Sequence, residues 1–490
     1  FVITALAVYH LKNNKTDDKL ITKYYPSDHL AQMRSWPDEK IDFTAYKKAL
    51  QEASNDFIAL KNKSTDSASL WRLEGPKNIG GRINTVIAHP DNPDIIYAGC
   101  TAGGIFKTTD GGENWFPIFD ENSYLAIGSL VFDPTNPDII FAGTGDPNIG
   151  GYPFIGNGIY KSIDAGATWT HLGLEAQSIV ARIAINYNNT DIIYAATMGI
   201  PFERNTNKGL YKTTDGGETW EQVLFISEEA GVIDVVMNPK NPNTLFACGW
   251  DRVRNNSESL VNGQGAKVFR SFDGGATWTK LEGGLPQENM SRIGLAISQI
   301  DTSFVFAKYV GTDYELHNIF RSEDNGETWT GIVNSNAIPG NVLGGFGWYF
   351  AKLRISPYNH KEIYILGVDM YKTLNGGLSW YMTTPVWYTD EVHADKHDLF
   401  FIDSLTMLLA TDGGLYKSED GGQNWEDIEN IPNTQLYRIA IDPHKPGFYA
   451  GGAQDNGTNY GNVALMNDWA HVFGGDGFQP IFNPDNPNLF

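Results

Sequence analysis

The run His393-Ala-Asp395-Lys-His397-Asp398 gathers two imidazoles and two carboxylates into six residues. If it is extended, His393, Asp395 and His397 project to one side at i, i+2 and i+4. With Asp412 they make a candidate ligand set for Zn²⁺ or another divalent first-row metal. The competing reading is a hydrogen-bonded polar cluster lining a channel. A second cluster, Gln454-Asp455-Asn-Gly457 with Gly474-Gly-Asp476-Gly477, has the glycine content that lets a ligand approach closely. Asn-Gly and Asp-Gly are equally ordinary turn dipeptides. Asp146, Asp412, Asp455 and Asp476 are the candidate acid/base carboxylates.

These residues must be positioned by a repeat. One phrase, Ser/Thr-x-Asp-x-Gly-x-x-Trp, recurs with Asp110, Asp164, Asp215, Asp273, Asp324 and Asp420, and with Asn375 in place of the aspartate. Its tryptophans, from Trp115 to Trp425, stand 45 to 58 residues apart, the period of one β-propeller blade and longer than leucine-rich or helical repeats. The aspartate at a hairpin turn accepts backbone N–H groups, the glycine supplies positive φ, and the tryptophan wedges between blades. These aspartates are therefore read as structural.

Upstream of the boxes lies a Pro/Asn turn before an apolar strand, as in His89-Pro-Asp-Asn-Pro-Asp-Ile-Ile-Tyr97. Each unit then reads as four antiparallel strands, A to D, with the box joining C to D. Units start near residues 82, 125, 178, 231, 292, 351, 396, 436 and 478, the eighth with a degenerate box around Asp455-Asn-Gly457 and Trp469. The ninth stops inside strand B, so the natural chain is expected to continue beyond residue 490. The expected fold is all-β: a multi-bladed β-propeller over 71–490, preceded by a signal remnant, a helical stripe over 42–60 and a polar linker over 1–70. A seven-bladed ring ending near 430 and followed by the start of a second ring, or one larger ring, both fit the count.

The A–B turns are short and repetitive, whereas the B–C connections are long and individual, so the B–C face is expected to bind ligands. Asp146, Asp251, Asp369, Asp412 and Asp455 end B strands on that face. Arg182, Lys352 and Arg438 begin A strands there, joined by Arg82, and Trp387 is a candidate sugar platform. Inter-blade salt bridges are the structural alternative for the charged residues.

The formal charge is −22, which disfavours nucleic acid and anionic lipid and leaves glycans, cations and basic protein surfaces as partners. Cys100 and Cys248 fall on well-separated blades and are expected as free thiols. The chain opens on an apolar run, Phe1 to Tyr9, too short to span a bilayer and similar to the tail of a signal peptide. The expected location is secreted or cell-surface, as for a bacterial exported protein with no transmembrane segment.

With Trp71, Gly75-Pro-Lys-Asn-Ile-Gly-Gly-Arg82, the boxes, His393-Ala-Asp-Lys-His397 and Ala453-Gln-Asp-Asn-Gly457, the chain resembles the Asp-box (BNR-repeat) propeller superfamily, most closely its sortilin/Vps10-like and glycosyl-hydrolase-like exported members. That resemblance spans sialidases, xyloglucan-cleaving endoglucanases and non-catalytic receptors. Arg82 sits in Gly-Gly-Arg-Ile-Asn, unlike the Arg-Ile-Pro setting of sialidases, and the rest of their set does not assemble. The xyloglucanase-like branch uses two aspartates across a cleft between two propellers, one in Thr-Asp-x-Gly-Gly after the first strand B. The matching phrase here is Thr101-Ala102-Gly103-Gly104, with Ala102 at the carboxylate position. The resemblance thus implies a propeller that binds a glycan or protein, with a polysaccharide-cleaving glycoside hydrolase and a structural component of a cell-surface assembly as the alternatives.

Overall fold

The computed structural model describes residues 42–63, 73–151, 154–255, 258–334, 338, 342–350, 352–386, 389, 391–487 and 489. The opening apolar run, Trp71 and Trp387 lie outside the described residues. An α-helix, Phe43–Lys63, follows Asp42, whose Oδ1 caps it by accepting the Ala45 N–H at 3.0 Å. Among the described residues no helix is long and apolar enough to cross a membrane.

Eight four-stranded antiparallel sheets follow among the described residues, each built from strands in chain order, and in the fourth a separate two-stranded hairpin, Val253–Arg254 with Ser259–Leu260, is inserted between the second and third strands. Seven form blades 1 to 7, whose A strands begin at Ile83, Ile127, Ile179, Ala230, Ile293, Leu353 and Lys396. The eighth sheet, here sheet 8, begins with Leu436–Ile441.

Between each pair of successive blades lies one apolar core. Tyr97, Ile127 and Ile140 join blades 1 and 2, and Phe141, Val180 and Ile193 join blades 2 and 3. The series continues to Leu366, Leu399 and Leu409 between blades 6 and 7. A seventh core then packs Ile83, Val86, Ile96 and Ala98 of blade 1 onto Leu408, Ala410 and Leu415 of blade 7. Each large aliphatic side chain so buried contributes on the order of 1.5–3 kcal/mol. The ring of seven is therefore closed by side-chain packing, with no strand exchanged between its ends.

Sheet 8 stands outside this series. The first strand of blade 1 is buried almost throughout, whereas Tyr437, Ile439 and Ile441 of the corresponding strand in sheet 8 are exposed. Of the ninth unit the Asn483 turn is present, with Asn483 Oδ1 accepting the N–H groups of Asp485 and Asn486, and no paired strand surrounds it among the described residues.

The box hairpins repeat one hydrogen-bond set. Each Ser/Thr hydroxyl donates to the box Asp or Asn Oδ1 at 2.6–3.0 Å and accepts the box Gly N–H at 2.8–3.1 Å. Trp169, Trp220 and Trp425 donate their indole N–H to carbonyls of the preceding blade, tying neighbours together. In the eighth unit the corresponding hairpin is capped by Asn462 before Trp469. Asp455 instead sits in the opposite hairpin, between Phe448–Ala453 and Thr458–Asn462, so the degenerate-box reading of Asp455-Asn-Gly457 is corrected. Cys100 and Cys248 are free, buried thiols.

Candidate functional site

The site is organised around Arg82, which enters the first strand of blade 1 and is buried. The chain before it runs hard against blade 7: a Cβ on Gly80 would stand 1.7 Å from the Gly413 carbonyl oxygen, so only glycine fits. This brings the guanidinium to three carboxylates from three sheets. Its Nε donates to Asp412 Oδ1 at 2.8 Å, Nη1 lies 3.8 Å from Asp146 Oδ2, and Nη2 lies 3.7 Å from Asp455 Oδ2. The Tyr349 ring covers it, with 5.2 Å from Cζ to the ring centroid.

Asp412 follows strand Met407–Thr411 and is fully buried. Burial alone would raise its pKa, yet Arg82 and the His397 Nε2, 2.5 Å from Oδ1, hold it well below the usual carboxylate range. The Asp455 carboxyl hydrogen-bonds to that of Asp412. Burial and the Asp412 charge push Asp455 up to about 8. Asp395, whose burial is reinforced by the same charge, is pushed up to about 7. Two carboxyls whose protonation spans neutral pH thus flank one fixed anion.

Asp395 and Asp455 open onto a cavity of about 580 Å³ between blade 7, sheet 8 and the segment before Arg82. Asp427, Asp476, His393, His471 and Tyr416 line it as well, and none of its described lining residues is a lysine or arginine. Asp476 Oδ1 accepts the Asp455 N–H at 3.0 Å and faces the Tyr437 hydroxyl at 3.4 Å. Asn456 Nδ2 donates to the Asp412 carbonyl at 2.9 Å, joining sheet 8 to the ring.

Arg82, Asp146, Asp412 and Asp455 therefore gather at one place, with Asp476 joined to them through the Asp455 N–H. The metal set does not. Asp395 takes φ +65° and the strand slips register between Lys396 and Asp398, so the alternation from His393 to His397 is broken. His397 turns inward to Asp412, while both ring nitrogens of His393 face carbonyls, Ala394 O at 2.9 Å and Asp455 O at 3.0 Å. Among the described residues no group of three His, Cys, Asp or Glu side chains is arranged to hold a metal ion.

The remaining candidates disperse. Lys352 lies 3.2 Å from Asp398 Oδ2, and Arg354 donates to the same carboxylate. Arg182 stands 3.6 Å from Asp234. Arg182 and Lys352 thus serve inter-blade ion pairs, as in the structural alternative. Asp251 is buried beside Gly263 and Gly265, and Arg438 is exposed on sheet 8. Asp427, His471, Tyr349 and Asn148 carry no repeat signal and the sequence reading misses them; it also misses Arg292, although that residue precedes its strand at Ile293 as Arg82 precedes Ile83.

A model of the Sortilin-Vps10 family, described as sortilin, neurotensin receptor 3, matches residues 157–289, on blades 2 to 4. A xyloglucanase of Paenibacillus sp is 22% identical over 427 residues, covering 79% of this chain and 36% of that protein. A xyloglucanase of Acetivibrio thermocellus is 27% identical over 237 residues, covering 42% of this chain and 26% of that protein. The chain thus spans between a quarter and about two fifths of the length of the curated relatives it matches. Among solved structures, the GH74 enzyme of Niastella koreensis superposes with a TM-score of 0.58 at 18% identity, covering 84% of this chain and 62% of that one. An ancestral GH74 enzyme gives 0.58 at 15% identity, covering 82% and 55%. Recurring box hairpins, four-stranded antiparallel sheets and these likenesses agree on the fold: the chain is a β-propeller built on Asp-box hairpins, and it resembles the Asp-box (BNR-repeat) superfamily.

Proposed function

We propose that the cavity between blade 7 and sheet 8 binds a polysaccharide chain and cleaves a glycosidic bond by general acid–base catalysis, with Asp455 as the acid. The observation that carries this is the Asp412/Asp455 pair: an anion locked by Arg82 and His397 keeps the neighbouring carboxyl protonated up to about pH 8, inside a cavity that holds further carboxylates. A departing sugar oxygen needs a proton, and an ordinary aspartic acid has already lost its own at neutral pH. Asp395, which ionises about a unit lower, is the base that activates water, replacing the carboxylate missing at Ala102. The relatives named xyloglucanases support xyloglucan as substrate, and the lack of lysine and arginine among the described lining residues suits an uncharged chain.

The test is release of reducing ends from xyloglucan. The wild type is expected to release them, and Asp455→Asn to lose on the order of 10²- to 10⁴-fold in kcat. Ala102 favours a second reading, an exported or cell-surface propeller that binds a glycan without cutting it. Retardation in a xyloglucan-containing gel with no new reducing ends would select that reading. In either case sheet 8 is taken as the start of a second ring, and the protein as secreted or held at the cell surface.

A further inference from the structure

The buried side chains behind Asp412 fix one another's orientation in a way that reaches the proton on Asp455. Asn84 Nδ2 faces the Ile127 carbonyl at 2.9 Å and Asp146 Oδ1 at 3.3 Å, both of which only accept. The Asn84 amide oxygen must therefore point the other way, where it accepts from Asn148 Nδ2 at 3.1 Å. From the opposite side Arg292 Nη1, which only donates, stands 3.0 Å from Asn148 Oδ1. Two independent constraints thus give Asn148 the same orientation.

With its oxygen on Arg292, Asn148 presents its NH₂ to His397 Nδ1 at 3.4 Å. That nitrogen must carry a lone pair, so the ring proton sits on Nε2, where it donates to Asp412 Oδ1. Arg82 Nε donates to the same oxygen, and the Tyr349 hydroxyl stands 3.5 Å from Oδ2. Asn84, Asn148, Arg292, His397 and Asp412 are all at least nine-tenths buried, so water does not compete for these bonds.

We propose that Arg292 and Asn148 are positioning residues that hold His397 in its Nε2–H tautomer, so that Asp412 remains the acceptor and the shared proton of the Asp412/Asp455 pair stays on Asp455. The inference rests on the proposed hydrolysis for its catalytic meaning, but the tautomer is a property of the folded chain alone. No bond to substrate is involved: the relay sets which carboxyl of the pair holds the proton before a glycan arrives.

The test is long-range ¹H–¹⁵N spectroscopy of histidine-labelled full-length chain. In the wild type the His397 signal is expected to show a bare Nδ1 and a protonated Nε2, unchanged between about pH 6 and about pH 8, the range in which a free imidazole would titrate. In Asn148→Asp a carboxylate replaces the NH₂ at Nδ1, and the signal should become that of a doubly protonated ring. A wild-type ring protonated on Nδ1, or on both nitrogens, overturns the relay. In kinetics, His397→Phe is expected to lose about 100-fold in kcat at unchanged KM, while His397→Gln, whose carboxamide still donates to Asp412, stays within about tenfold of wild type. Equal losses in the two variants, with both folded by circular dichroism, likewise overturn it. A wild type that cleaves no glycan would remove the proposed hydrolysis, and the nitrogen signals would still decide the relay.

Discussion

Arg82 faces three aspartates whose environments differ because their neighbours differ. Asp412 receives Arg82 and His397 directly and stays ionised, and its charge then opposes ionisation of Asp455 and Asp395, which lie beside it under partial burial. The acid form of Asp455 is lost above about pH 8 and the base form of Asp395 is lost below about pH 7. Hydrolysis is therefore predicted to follow a bell centred between those values, well above the range of two ordinary carboxyls. A profile whose alkaline limb is unmoved in Asp412→Asn would count against the assignment. Asp398 answers a different need: burial opposes its charge, but Arg354, Lys352 and Arg182 depress its pKa. Its contribution to stability is thus fully present above the unfolded value near 3.9 and is lost as pH falls through the folded one. Asp398→Asn leaves those cations without their counter-ion and is predicted to cost roughly 3–5 kcal/mol at neutral pH. Urea denaturation at pH 7 and again near pH 3 would check this, since the variant's deficit should shrink in acid.

At the scale of the element, the box hairpin shows why so much of the fold is legible. Its bonds run between residues two and four apart, Thr213 to Asp215 at 2.6 Å and Gly217 to Thr213 at 3.0 Å, so a short pattern specifies them completely. Even the Asn375 substitution reads correctly, because the amide oxygen accepts the Ser379 N–H while Nδ2 donates to the Ser379 hydroxyl. Thr213→Val keeps the volume of this buried residue but removes the hydroxyl from both bonds. It is predicted to lower stability by about 1–3 kcal/mol, measured by urea denaturation. The site is less legible for the opposite reason. Arg82 and Asp412 are 330 positions apart, and only the repeat register says that their strands meet. From His393 to His397 strand alternation fails because Asp395 takes a positive φ. Asn148 sits in an individual connection with no repeated counterpart, whereas Arg292 precedes its strand at Ile293 as Arg82 precedes Ile83, a register match that could have singled it out.

For the whole molecule, counting repeats leaves two closures open, because every blade presents the same kind of apolar face. The core shared by blades 1 and 7 distinguishes the seven sheets of the ring from sheet 8, and every member of that core lies at or before Ile431. Sheet 8 meets the ring through polar links instead: Lys77 N–H to the Met466 carbonyl, Asn78 with Trp469, Asn456 with Asp412, and Arg82 with Asp455. Stability and activity should therefore separate along the chain. A chain ending at Gln435 retains all seven inter-blade cores but lacks Asp455, Asp476 and His471. It is predicted to unfold in one cooperative transition, with the ring's sheet content intact by circular dichroism, and to release no reducing ends from xyloglucan. Loss of cooperativity would mean that sheet 8 holds the ring shut. Retained hydrolysis would mean that the acid lies within the ring, at Asp395 or Asp427, and that the Arg82 cluster serves only to join the two bodies.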